Sequence, residues 1–201
     1  MRHTLRMAQD DYGQQWAKEL VARVGLAIKT ARGKRSAAWL SDRTAELGYR
    51  VSPTVIAKLD SGHRGEVLSV AEWLILSAAL DVTPMALLFP DIPDGPVDML
   101  PGVQRTSFVA AAWVAGDDID GLAARPEALS ALDVRHYEVM KLAKQRAHTE
   151  RHLTELKNML STLDSDDEVD KLAGSMVRTQ QQLQSLNERI RSAGGVVSED
   201  D

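Results

Sequence analysis

The chain has 201 residues, no cysteine, 44% hydrophobic and 26% charged residues, and a formal net charge of −5. That length suits one domain with an appendage or two small domains, and the balance is that of a folded globular protein. It excludes disulfides, thiolate metal sites and a cysteine nucleophile, and no run approaches the ~18 apolar residues that cross a bilayer, so the expectation is no membrane association.

The opening segment MRHTLRMAQDDYGQQ lacks the apolar core of a secretory signal, which points to the cytoplasm. Aromatic residues are only 4%, and Leu and Ala dominate the apolar set. Both favour helices, so the expected fold is all-α. The charge is polarised along the chain. Residues 1–90 carry 12 basic and 9 acidic residues, against 12 and 20 in residues 91–201. Within 29–64 the basic set is Lys29, Arg32, Lys34, Arg35, Arg43, Arg50, Lys58 and Arg64, against Asp42, Glu46 and Asp60. A basic patch beside an acidic remainder points to a polyanion held locally.

In chain order, Trp16, Leu20, Val21, Val24, Ala27, Ile28 and Ala31 recur at three- and four-residue intervals, which predicts one buried helix face over 14–31, ended by Gly33. A second helix is expected from the cap Ser36 through Trp39, Leu40 and Leu47 to Gly48. Ser52 followed by Pro53 reads as an N-cap with proline at the first helical position, and Val55, Ile56 and Leu59 supply that third helix with an apolar face before Gly62. A fourth helix runs from about Ser69 to Leu80, and a short fifth follows Thr83-Pro84 to Phe89. Residues 1–90 thus form a five-helix domain.

Residues 90–103 hold four of the seven prolines and two glycines, so residues 91–126 read as a linker with one short helix capped by Thr106 or Ser107 and docked through Phe108, Val109, Ala112 and Trp113. From residue 127 the remainder reads as a long helical hairpin to 192, with an acidic flexible tail over 193–201. One seam is Leu132, Val139, Leu142, Leu153, Leu156, Leu160 and Leu163, interrupted by Arg135, Arg146 and Thr149. The other is Val169, Leu172, Met176, Leu183, Leu186 and Ile190, interrupted by Thr179. Both are coiled-coil patterns, and their phases differ across Asp164–Asp167, which predicts an antiparallel turn near Asp166. In that register Leu160 faces Leu172, Leu156 faces Met176 and Leu142 faces Ile190.

The second and third helices meet across the short turn Gly48-Tyr49-Arg50-Val51, the arrangement in which one helix braces and the next presents its amino-terminal end to base edges. Here the chain resembles the xenobiotic-response-element, or Cro-like phage repressor, family of helix-turn-helix regulators. The resemblance covers roughly residues 16–90. It rests on SAAWLSDRTAELG, VSPTVIAKLDSGHRG and SVAEWLILSAALDVTPMALLFP, with a bracing helix and turn longer than in the commonest members. It implies that Ser52, Pro53, Thr54, Ala57 and Lys58 face the major groove and that Val55, Ile56 and Leu59 face inward. Thr54 and Lys58 are then the leading base contacts, with Arg50 reaching a base or a phosphate. Lys34, Arg35, Ser36, Ser61, His63 and Arg64 would grip phosphates.

Other chemistries have little support. His148 and His152 stand four apart around Glu150, but HTERH is not the HExxH order and no third ligand is evident. No glycine-rich phosphate loop or nucleophile elbow occurs, so neither an enzyme nor a cofactor or metal is expected. The reading is a sequence-specific double-stranded DNA-binding regulator, a repressor by resemblance. It would form a homodimer through Leu142, Leu153, Leu156, Leu160, Leu172, Met176, Leu183 and Leu186. The alternative is an antitoxin-like or phage-derived adaptor whose hairpin holds a protein partner.

Overall fold

The computed structural model describes residues 2–117, 134–160 and 165–198. The expected start of the long helix at residue 127 and the seam positions Leu132 and Leu163 lie outside the described residues. The chain divides into two compact units, Met1–Ala111 and Ala112–Asp201.

The first unit contains five helices in the expected order: α1 (Arg2–Arg32), α2 (Ala37–Glu46), α3 (Pro53–Asp60), α4 (Val70–Leu80) and α5 (Pro84–Leu88). Local chemistry sets their starts. Ser36, Ser52, Ser69 and Thr83 each adopt an extended conformation and accept a backbone N–H from the residue three positions on. Ser69 and Glu72 complete a reciprocal capping box. α1 begins well before the expected residue 14, because its opening turns carry no apolar periodicity to betray them.

The core is one cluster in which Val24, Ile28, Leu40, Ile56, Leu59, Leu76 and Leu87 are almost fully buried. α1 lies against α3, α4 and α5. Its closest approach is to α3, where a Cβ on Gly25 would stand 2.3 Å from the Leu59 carbonyl oxygen, inside any permitted contact. Toward α5, the Arg23 guanidinium donates to the Leu88 carbonyl at 2.9 Å and lies over the Phe89 ring. Burial pulls that guanidinium below its ordinary pKa, opposed by the nearby Asp98, Asp91 and Glu19 carboxylates.

The all-α expectation needs one correction. Part of the expected linker is a two-stranded antiparallel sheet, β1 (Pro96–Leu100) and β2 (Val103–Thr106), paired Val97 to Arg105 and Asp98 to Gln104. The prolines permit it, because Pro96 opens its strand and Pro101 precedes Gly102 in the connecting turn. Val97 and Met99 point inward and are buried. Trp16 Nε1 donates to the Asp98 carbonyl at 3.0 Å and ties the sheet to α1. The short helix follows as α6 (Ser107–Val114), with Val109 buried and Phe108 half-exposed rather than docked.

In the second unit, α7 (Val134–Leu160) packs against α8 (Asp166–Ser192). The early α7 residue Leu142 clusters with the late α8 residues Leu186 and Ile190, which makes the pair antiparallel and brings Leu142 to Ile190 as expected. Two polar seam positions, Thr149 and Thr179, are buried as well, and each hydroxyl donates to the carbonyl four residues back at 2.9 Å. The expected flexible tail, 193–201, needs a correction over its described residues, 193–198. After Ala193 caps α8, Gly195 N–H reaches the Ile190 carbonyl at 2.8 Å and Gly194 N–H the Arg191 carbonyl at 3.0 Å, a paired C-terminal motif. It folds Val197 back onto the Leu142, Leu186 and Ile190 cluster. Among the described residues, no helix is long and apolar enough to cross a membrane.

The Gly25 contact gives a signed test. Alanine at an ordinary helix position stabilises by up to about 1 kcal/mol over glycine, yet Gly25→Ala is expected to destabilise by about 1–3 kcal/mol in urea unfolding, because the added carbon overlaps backbone.

Candidate nucleic-acid interface

α2 and α3 are joined by a turn fixed at both ends. Gly48, in the left-handed region at φ 92°, lets the chain leave α2, with Gly48 N–H on the Ala45 carbonyl and Tyr49 N–H on the Thr44 carbonyl. Thr44, fully buried, then does what no cap does. Its hydroxyl donates to the Ser41 carbonyl at 2.8 Å and accepts the Val51 N–H at 2.9 Å, so a side chain of α2 holds the residue before the cap of α3.

The far end of α3 is held by charge. Arg32 at the close of α1 forms a two-pronged pair with Asp60 at the close of α3, at 3.2 and 2.7 Å. Both side chains are largely buried, at 8% and 15% exposure. α3 is therefore held before its first turn by Thr44, and at its last turn by the close approach of Gly25 to Leu59 and by the Arg32–Asp60 pair.

That pinning leaves one edge of α3 outward. Ser52, Pro53, Thr54, Ala57 and Lys58 are all exposed, while Ile56 and Leu59 are buried and Val55 packs against the core. The division between outward and inward positions is the one expected from sequence. Thr54 and Lys58 lie one turn apart on this edge, and their side chains have no hydrogen bond or ion pair among the described residues. Ser52 is engaged as the cap, accepting Val55 N–H at 3.3 Å.

The other expected contacts separate into engaged and unengaged groups. Arg50 donates to Asp42 at 2.9 Å and to the Ser41 hydroxyl at 3.3 Å, and the pair is exposed. Arg35 folds back onto the end of α1, donating to the Arg32 and Ala31 carbonyls, with its guanidinium 4.1 Å from the centre of a Trp39 ring. Arg64 is drawn inward, donating to Glu72 at 2.8 Å and to the Val67 carbonyl, and serves as a brace for the segment after α3. Ser36 caps α2, and the Ser61 hydroxyl donates to the Ala57 carbonyl. Lys34 and His63 are exposed with no side-chain partner among the described residues. No family model, curated protein or solved structure matches the chain.

The basic segment is thus less cationic than its composition. Arg32, Arg43, Arg50 and Arg64 each face a carboxylate, and the cations without such a partner are Lys29, Lys34 and Lys58, with Arg35 stacked on an indole. In the second unit, Leu142, Leu153, Leu156 and Leu186 are buried, and Leu160, Leu172, Met176 and Leu183 partly so. They form the seam of a single hairpin. Apolar side chains exposed outside that seam include Ala147, Met159, Ala173 and Val177. His152 Nδ1 lies 3.7 Å from Glu155, and among the described residues no three His, Asp or Glu side chains are grouped to hold a metal.

Sequence reading named neither Thr44 nor the Arg32–Asp60 pair. Thr44→Val, nearly isosteric, strands the buried Val51 N–H and is expected to cost about 1–3 kcal/mol in denaturant unfolding, whereas Thr54→Val on the exposed edge should change stability by less than about 0.5 kcal/mol.

Proposed function

We propose that the protein is a sequence-specific double-stranded DNA-binding regulator, acting as a repressor, with the exposed edge of α3 entering the major groove. The observation that carries this reading is a short helix held at both ends, whose outward edge presents Thr54 and Lys58 with no side-chain partner among the described residues. Lys58 donates to guanine O6 or N7, and Thr54 offers a hydroxyl or a methyl to the neighbouring base. Lys34 and His63 flank that edge in sequence and contact phosphates. Arg50 joins them by exchanging Asp42 for a phosphate.

Self-association supplies the second recognition helix. Because the leucine seam closes within one hairpin, a second copy packs on the remaining flank around Ala143, Ala147, Ala173 and Val177, forming a four-helix bundle. Light scattering on the full chain then reports a dimer, and a monomer overturns this part of the reading. Deleting residues 127–201 is expected to weaken DNA binding sharply, since two linked half-site contacts become one.

A second reading, an adaptor that binds protein, is favoured by the pairing of most guanidiniums in the basic segment with carboxylates. Selection from a random duplex pool separates the two. The full chain is expected to enrich a defined site, and Thr54→Ala with Lys58→Ala is expected to lose about 1–3 kcal/mol of binding at it. Absence of enrichment, or an unchanged site with the double variant, overturns the DNA reading. Lys34→Ala is expected to weaken binding to all sequences alike and to make the salt slope shallower by about 1.

A further inference from the structure

Within the first unit, a cavity of about 250 Å³ opens between α1 and the start of α4. Its walls include Leu20, Val24 and Leu68 and the indoles of Trp16 and Trp73. Each indole is anchored elsewhere. Trp16 Nε1 donates to the Asp98 carbonyl and Trp73 Nε1 to the Pro84 carbonyl, both at 3.0 Å. The rings are therefore held in place, and what they offer an occupant is apolar surface. The Ser69 hydroxyl on the same wall accepts the Glu72 N–H as the cap of α4.

Of the polar side chains lining the cavity, that leaves the carboxylate of Glu66. Its neighbour is Lys18, whose Nζ stands 3.8 Å away, beyond hydrogen-bond distance, with both side chains partly exposed. An ionised carboxylate only accepts hydrogen bonds, so a matching ligand brings a donor there, and a cationic donor gains most. Size narrows the choice further. An apolar cavity of about 150 Å³ holds benzene. The larger space here takes one aromatic ring and a short chain.

We propose that this cavity binds a small primary arylalkylamine, with its ring against Trp16 and Trp73 and its ammonium on Glu66 in place of the Lys18 contact. The site lies apart from the exposed edge of α3, and its occupancy does not depend on whether the chain binds DNA.

The test uses phenethylamine titrated into the full chain, followed by the indole N–H signals in nitrogen–proton correlation spectra. The Trp16 and Trp73 signals are expected to shift to saturation with Kd at or below about 1 mM, while that of Trp39, beneath Arg35, stays in place. Phenethyl alcohol and hydrocinnamate, which present a neutral and an anionic group, are expected to bind at least about tenfold more weakly. Glu66→Gln removes the preference for amine over alcohol. Lys18→Met, which removes the competing cation, strengthens amine binding. Both positions are at the surface, so neither change threatens the fold. Shifts that never saturate, equal affinity for amine and alcohol, or amine binding indifferent to Glu66→Gln would each overturn the proposal.

Discussion

α1 meets α3 at a point where no side chain fits, because Gly25 sits over the Leu59 carbonyl, and two turns further along α1 Arg32 reaches across to Asp60. Both contacts act on the last turn of α3, where Leu59 and Asp60 are neighbours. A charge removed from water costs several kcal/mol unless its partner and geometry are good, so the pair is a weak source of net stability. Its effect is on orientation. A guanidinium–carboxylate fork is directional, and α3 at eight residues is too short to hold its own angle by propensity alone.

At the opposite end of α3, Thr44 answers the same problem with neutral groups. A single hydroxyl takes one backbone acceptor and one backbone donor, binding α2 to the entry of α3 at a buried point. Ionic and neutral anchors together leave the exposed edge of α3 as the part of the helix that no contact requires. The hairpin follows a different logic. There no single contact fixes geometry, and register is spread over repeated apolar layers, with Thr149 and Thr179 tolerated because each hydroxyl is satisfied inside its own helix.

Features encoded locally were legible in the sequence. The caps at Ser36, Ser52, Ser69 and Thr83 need only a hydroxyl and a nearby backbone N–H, and the heptad register needs only spacing. The inward positions Val55, Ile56 and Leu59 of α3 followed from their apolar spacing, while the outward ones were implied by the resemblance. What escaped was joined over distance. Arg32 and Asp60 lie 28 residues apart, and each looked like an ordinary surface charge. The count of cations overstated the basic patch, since a sequence does not show which arginine has a carboxylate within reach. The sheet was hidden by its prolines, which read as breakers although Pro96 and Pro101 occupy places where a strand and a turn accept them. The cavity draws residues from several separate stretches, so no local pattern announces it.

The return of the last described residues has a practical side. Val197 lies against the apolar patch formed where the beginning of α7 meets the end of α8, and Gly195 sits so close that a methyl group there would collide with the Ile190 side chain and crowd Val139. Trimming the chain at Ser192, which looks harmless when the ending is taken for slack polar sequence, would strip a lid from that patch and leave greasy surface open to water. Affinity handles and fluorescent labels at this terminus are better attached beyond Ser198, so that the fold-over is kept whole.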